Sequence, residues 1–176
     1  MQYVFGFAIT SLSDASDFQY GKGNTIPVHK GDYPVYGCNG IVGTTDCYNS
    51  ENSPIIGHIG SAGIVNWGEG KHFVTYNGTI CKAKEEVISS KYLYYLLQNM
   101  HLEQYVKGNQ PFLSYGDFSK AIIVIPSKQR QDKIVFILDS LCGLCESMEE
   151  GIPAEIEARQ KQYEYYRDKL LSFKEA

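Results

Sequence analysis

Arginine is missing from the first 126 residues of this chain, whose basic charge is eight lysines against ten carboxylates. The whole chain has 176 residues and a formal charge of -4. That balance excludes a strongly basic nucleic-acid coat and a polyacidic disordered tail. No apolar run approaches the roughly 20 residues that a membrane span needs. Met1-Gln2-Tyr3-Val4-Phe5 carries neither the basic nor the long apolar part of an export signal. A cytoplasmic location is therefore expected. The five cysteines, odd in number and irregular in spacing, read as reduced thiols and not as a disulfide framework. Also missing are a GxxxxGK[ST] phosphate loop, a GxSxG elbow, an HExxH pair and a GxGxxG fingerprint. Gly21-Lys22-Gly23-Asn24 is glycine-rich but leads into no convincing helix. Cys142 and Cys145 form a lone CxxC without the two further ligands that zinc requires. No cofactor, no metal and no catalysis are expected.

What is present changes character near Pro126. Fifteen of the 17 glycines and five of the six prolines lie at or before it. Two parts follow: residues 1–126, β-rich and loop-rich, and residues 127–176, helical. Short β-branched and aromatic runs alternate with turn signals in the first part. Pro34-Val35-Tyr36 meets an Asn39-Gly40 turn, and Pro54–Ile59 ends in Gly60-Ser61-Ala62-Gly63. Ile64–Trp67 precedes a Gly68-Glu69-Gly70 turn. Phe73–Tyr76 and Thr79–Cys81 flank Asn77-Gly78, a hairpin signal. One helix interrupts them, over 91–106, capped by Ser89 or Ser90, with Leu93, Leu96, Leu97 and Met100 at helical spacing and Gly108 as its stop. The expected class is α+β: an irregular, curved, β-rich head with packed helices, then a long carboxy-terminal helix.

That helix carries a seam. Ile134, Leu138, Leu141, Cys145, Met148 and Ile152 are spaced by alternating fours and threes, a heptad pattern. Gly151 and Pro153 disturb it. Ile156, Tyr163 and Leu170 resume it at intervals of seven, as do Tyr166 and Phe173. Either one helix is kinked at Pro153, or a second helix starts there; we prefer the kinked rod. A rod of this length is roughly 70 Å long at 1.5 Å per residue, and its seam requires a partner.

Asp46 with Glu69-Gly70-Lys71 loosely copies the acidic pair and lysine of metal-dependent nucleases. A turn explains the Glu69 segment more simply. A stand-alone nuclease and a coiled-coil adaptor with a protein- or sugar-binding head remain alternative readings.

Several segments in order resemble a known family. They are Gly21–Pro27, Tyr33–Gly40 and Gly57–Gly63, then Asn109–Ser114 leading through Ile123–Ile134, and finally Gln160–Leu171. Together they are similar to a target recognition domain with its spacer helix, as in specificity subunits of type I restriction-modification systems. Family members usually carry two such domains and two helices in one chain. This chain has one of each and no internal repeat, so it is similar to a half-subunit. The resemblance implies an antiparallel homodimer whose heads each read one half of a split site in double-stranded DNA. It also implies two methyltransferase (modification) subunits and a restriction subunit as partners, with the methyl donor bound by the partner. Helix length would set the spacing between half-sites, and protein symmetry would be mirrored in the site.

Phosphate contacts are expected from Lys22, Lys30, Lys71 and Lys107. Base edges are expected to be read by Asn24, Thr25, Asn39, His58, Ser61, His72, Tyr76, Asn77 and Gln110. The dimer and partner interface is expected at Ile134, Leu138, Leu141, Cys145, Met148, Ile156, Tyr163, Tyr166, Leu170 and Phe173.

Overall fold

Alternation of side chains decides the first pairing. In β1 (Phe7–Ser11) Ala8 points inward, and in β8 (Ile122–Pro126) Ile123 and Ile125 do. The two strands pair antiparallel, with Ile9 opposite Val124, and form a separate two-stranded ribbon. A computed structural model describes residues 6–23 and 30–171; beyond Leu144 it describes side chains only at 151–153, 155, 161 and 162.

Between the ribbon strands lie α1 (Leu12–Ala15), β2 (Ser16–Tyr20), β3 (Tyr33–Gly37), β4 (Gly40–Thr45), β5 (Ser50–Gly57), β6 (Val65–Val74) and β7 (Gly78–Ala83). Then come α2 (Ser90–Asn99), a 3-10 turn (Leu102–Tyr105) and α3 (Tyr115–Phe118). Strands β2 to β7 form a six-stranded sheet in the order β2-β7-β5-β6-β3-β4. The pairs are antiparallel except β3 with β6, where Tyr36 lies beside Val74.

Several sequence expectations need correction. Gly68-Glu69-Gly70 is no turn between strands, because β6 runs straight through it. Gly68 is there because the His72 ring lies against it: an added Cβ would sit 2.4 Å from the ring's Cε1. Asn77-Gly78 does turn the chain, but β6 and β7 are not partners; β5 lies between them. The helix stops at Asn99 and does not reach Val106. His101 takes a left-handed backbone (φ 50) and redirects the chain so that Leu102 is buried.

Neither serine caps α2 with its side chain in the expected way. The Ser89 hydroxyl makes no cap bond. Instead the Glu85 carboxylate accepts from the Ser90 N–H (2.9 Å) and hydroxyl (2.8 Å). Burial pushes the Glu85 carboxyl up, but the bonds from Ser90 and Lys128 outweigh it and hold it below its ordinary value.

Ile55 and Ile56 point to opposite faces of β5. Ile56 joins the main core with Leu12, Leu93, Leu97, Phe118 and Ile125. Ile55 joins a smaller cluster with Tyr36, Val74 and Ile80.

The last element, α4 (Lys128–Leu171), has 44 residues, with Pro153 inside it. The chain divides into compact units 1–135 and 136–176. The first turns of α4 belong to the head because Gln131 is wholly buried there. Its Nε2 donates to Val87 O (3.1 Å) and Pro126 O (3.0 Å), and its Oε1 accepts from the Ser89 N–H (2.9 Å).

Candidate nucleic-acid interface

Loops from distant parts of the chain meet around the imidazole of His58. Beyond β2, Gly21 N donates to Gly78 O (2.9 Å) and Lys22 N to Val74 O (3.0 Å). Tyr76 N donates back to Gly23 O (2.9 Å). His58 N donates to Asn77 O (2.7 Å), Leu113 N to His58 O (3.0 Å) and Gly60 N to Pro111 O (3.1 Å). Only glycine fits at position 57. An added Cβ there would lie 2.1 Å from the Ser61 carbonyl oxygen and 2.7 Å from that of Cys38. The loops at 20–23, 37–40, 57–63, 75–78 and 107–113 thus share one locked surface.

His58 is its pin and is 1% exposed. Its Nδ1 donates to Leu113 O (2.6 Å). The ring centroid lies 4.3 Å from Tyr20, 4.6 Å from Phe112 and 5.7 Å from Tyr76. Of the two roles open to His58, core residue or base-facing one, its burial and the bond from Nδ1 to Leu113 O favour the core. On the surrounding loops Lys22, Asn39, Tyr76 and Gln110 are exposed, and Ser61 and Asn77 are half-buried. Asn24 and Thr25 lie outside the described residues.

His72, expected to read a base edge, is fully buried. Nδ1 donates to Gly70 O (2.9 Å), which leaves Nε2 to accept from the Ser53 hydroxyl (3.2 Å), itself bonded to Ser50 (2.7 Å). This chain of bonds braces an irregularity in β5, where Asn52 has φ 43 and its Oδ1 accepts from Gly70 N (2.8 Å). Burial pushes the His72 pKa below its ordinary value.

The comparisons with known proteins bear on this surface. A model of the type I restriction modification DNA specificity domain matches residues 14–158. The chain belongs to that family. Over 155 residues it is 32% identical to a putative type I restriction enzyme specificity subunit of Haemophilus influenzae, covering 82% of this chain and 40% of that one. A 51-residue stretch is 57% identical to a type I restriction enzyme specificity subunit of Escherichia coli, covering 29% of this chain and 13% of that one. The fold matches the S subunit of a type I restriction-modification system from M. genitalium with a TM-score of 0.67 at 20% identity, over 94% of this chain and 46% of that one. The chain spans less than half the length of each of these relatives.

Within this specificity-domain head the lysines do not act alike. Lys107 Nζ lies 2.5 Å from Asp117 Oδ1. That hydrogen bond holds the Asp117 carboxyl below its ordinary value. Lys107, expected to offer its charge to a phosphate, is exposed and paired here with Asp117. Lys71 is exposed and stands over the Tyr48 ring (4.7 Å), which packs on Tyr33 (5.3 Å). Tyr48, then Tyr33 and Glu51, hold its ammonium above the ordinary lysine value. Lys30 is exposed just before β3.

Sequence reasoning missed the Tyr33–Tyr48–Lys71 patch, whose members are far apart in the chain. It also missed a cation–aromatic stack in which Lys91 Nζ lies 4.4 Å from the Trp67 ring and 5.6 Å from that of Tyr94. Its only local trace was the three-residue spacing of Lys91 and Tyr94 on α2.

Along α4, Ile134 and Leu141 are exposed and Leu138 is half-buried. Phe136, Ile137, Leu144 and Ile152 are exposed as well. The side chains of Cys145, Met148, Ile156, Tyr163, Tyr166 and Leu170, and the whole of Phe173, lie outside the described residues. The metal-nuclease reading rested on Asp46 and Glu69. Asp46 is exposed, and the Glu69 carboxylate accepts the indole N–H of Trp67. Among the described residues no three His, Cys, Asp or Glu side chains are grouped to hold a metal ion. Among them also, no helix is long and apolar enough to cross a membrane.

Proposed function

We propose that this chain is a half-length, non-catalytic DNA-specificity subunit. Residues 1–126 form a target recognition domain that reads one half of a split duplex site. Residues 127–176 form the arm that pairs two copies antiparallel, sets the distance between half-sites and docks the modification subunits. Methylation and cleavage belong to the modification and restriction subunits. The observation that carries this reading is the family match, which runs through head and arm as one stretch, 14–158.

Lys22, Lys30 and Lys71 supply phosphate contacts. Asn24, Thr25, Asn39, Ser61, Tyr76, Asn77 and Gln110 read base edges. His58 and His72 hold the reading loops in place. With no arginine in residues 1–126 and eight lysines against ten carboxylates there, one recognition domain alone binds duplex weakly, so pairing and the modification subunits supply much of the affinity.

The test is co-expression with a type I modification methyltransferase, followed by genome-wide mapping of methylated adenines. The expected motif is an inverted repeat with a constant spacer. Inserting or deleting whole turns in α4 should change the spacer and leave the half-sites alone. Methylation that ignores this chain, or a spacer indifferent to arm length, refutes the reading.

A further inference from the structure

A column of aromatic rings runs through the head and ends at its surface. Phe118, 1% exposed, starts it in the main core. Phe18 and Tyr20 lie two residues apart on β2 and so share a face. The Phe18 ring lies 5.4 Å from Phe118 and 6.0 Å from Tyr115. Tyr115 lies 4.9 Å from Tyr20, Tyr20 4.3 Å from His58, and His58 4.6 Å from Phe112. Each step is close to the spacing at which rings attract one another. Phe112 is the last ring, and it is 40% exposed.

The backbone fixes this end as firmly as the rings do. Lys107 N donates to Phe112 O (2.9 Å) and Phe112 N to Lys107 O (3.2 Å), which closes a short loop over 107–112. Gly108 turns that loop with φ 81. On either side of Phe112, Pro111 O accepts from Gly60 N and Leu113 N donates to His58 O. A large apolar ring is thus held in place amid the loops of the candidate nucleic-acid interface. Little entropy is left to lose when another surface covers it.

Size and neighbours say what it fits. Part of the ring is spent on His58, so it does not stand clear as a wedge between base pairs must. What remains is a small apolar surface on the scale of a methyl group. Of the four bases, only thymine carries a methyl in the major groove. The usual readers of its partner adenine are asparagine and glutamine, and Asn39 and Gln110 are exposed on the same loops. Guanine's usual readers are scarce: residues 1–126 hold no arginine, and Lys107 is paired with Asp117.

We propose that Phe112 is a specificity-determining residue that covers the methyl group of one thymine in each half-site. This rests on the half-site reading proposed above and names a chemical group that the head contacts.

The test uses the full chain with type I modification subunits, once methylation mapping has given the motif. Duplexes in which uracil replaces each thymine in turn differ only by the methyl, and fluorescence anisotropy compares their binding. At one thymine the exchange should weaken binding about fourfold, the worth of one buried methyl. Made in both halves of an inverted repeat, it should cost about fifteenfold. Phe112→Ala should bind the thymine and uracil duplexes equally, and Phe112→Leu, still apolar, should keep most of the preference. Iodouracil at the same position puts iodine where the methyl stood, and irradiation should join it to Phe112, as read by mass spectrometry. That measurement needs no variant and decides the matter even where Phe112→Ala fails to fold. Indifference to uracil at every thymine, a preference that survives Phe112→Ala, or crosslinking that misses Phe112 overturns the proposal and leaves the half-site reading standing. Methylation that ignores this chain overturns both.

Discussion

Replacing Gln131 by leucine isolates the joint between head and arm. The side chain is fully buried, and leucine nearly matches its volume. The change removes two donated bonds, to Val87 O and Pro126 O, and one accepted from the Ser89 N–H. The Pro126 carbonyl stays buried without that partner, and the Val87 carbonyl and Ser89 N–H stay half-buried without theirs. At about 1 kcal/mol net for each bond the loss is about 3 kcal/mol. For a chain of this size that lowers Tm by about 6–12 °C. Trp67 is the single tryptophan and belongs to the head, so its fluorescence during urea unfolding follows the affected unit. Gln129→Leu, an exposed neighbour in the same helix, is the control and should stay within about 0.5 kcal/mol of the parent. Amide exchange at Ser89 should accelerate selectively in Gln131→Leu. A loss below about 1 kcal/mol, with Ser89 exchange unchanged, refutes the argument that these bonds tie the helix root to the head.

Other outcomes follow from the same contacts. Ser89→Ala removes a helix-flanking hydroxyl that makes no cap bond and is buried without a partner. In place of the usual loss of about 1 kcal/mol, chemical denaturation should give no change or a gain of up to about 1 kcal/mol. His72 contributes a pH dependence whose sign is set by burial. Its folded pKa lies below the ordinary 6.5, so the unfolded chain takes up the proton first and stability rises with pH in that window. Stability is fully present above about pH 6.5 and falls as pH drops towards the lowered folded value. A His72→Gln variant, less stable at neutral pH, should lose that slope in melts between pH 7 and 5, whereas a persistent slope would assign it to another group. Lys22→Gln and Lys71→Gln should each reduce the salt dependence of duplex binding by about one ion without altering the preferred sequence. The same change at Lys107, already paired with Asp117, should reduce it less. Fluorescence anisotropy across a salt series, with the modification subunits bound, separates them.

The spacing of residues 134–152 led to the expectation of a helix, because such a pattern lies within a few turns of local sequence. Asn-Gly pairs and the shift in composition near Pro126 likewise made the turns and the β-rich head legible. Segments of five residues such as β1 and β2 are too short to show a period, and they went unread. The direction of each side chain was less accessible still. His72 looked like a surface reader among polar neighbours, His58 fitted either role, and Lys107 gave no sign of its pairing with Asp117.

Local sequence therefore determined the kinds of element and the order in which they come. Tertiary structure alone decided that β1 pairs with β8, that β5 separates β6 from β7, and that Asp117 pairs with Lys107. It also decided that a glutamine at the helix root is buried while Phe112, in a loop, is exposed. The physical reason is that burial and charge pairing belong to contacts between distant segments. A residue's own neighbours in the chain carry little information about which remote backbone will close over it.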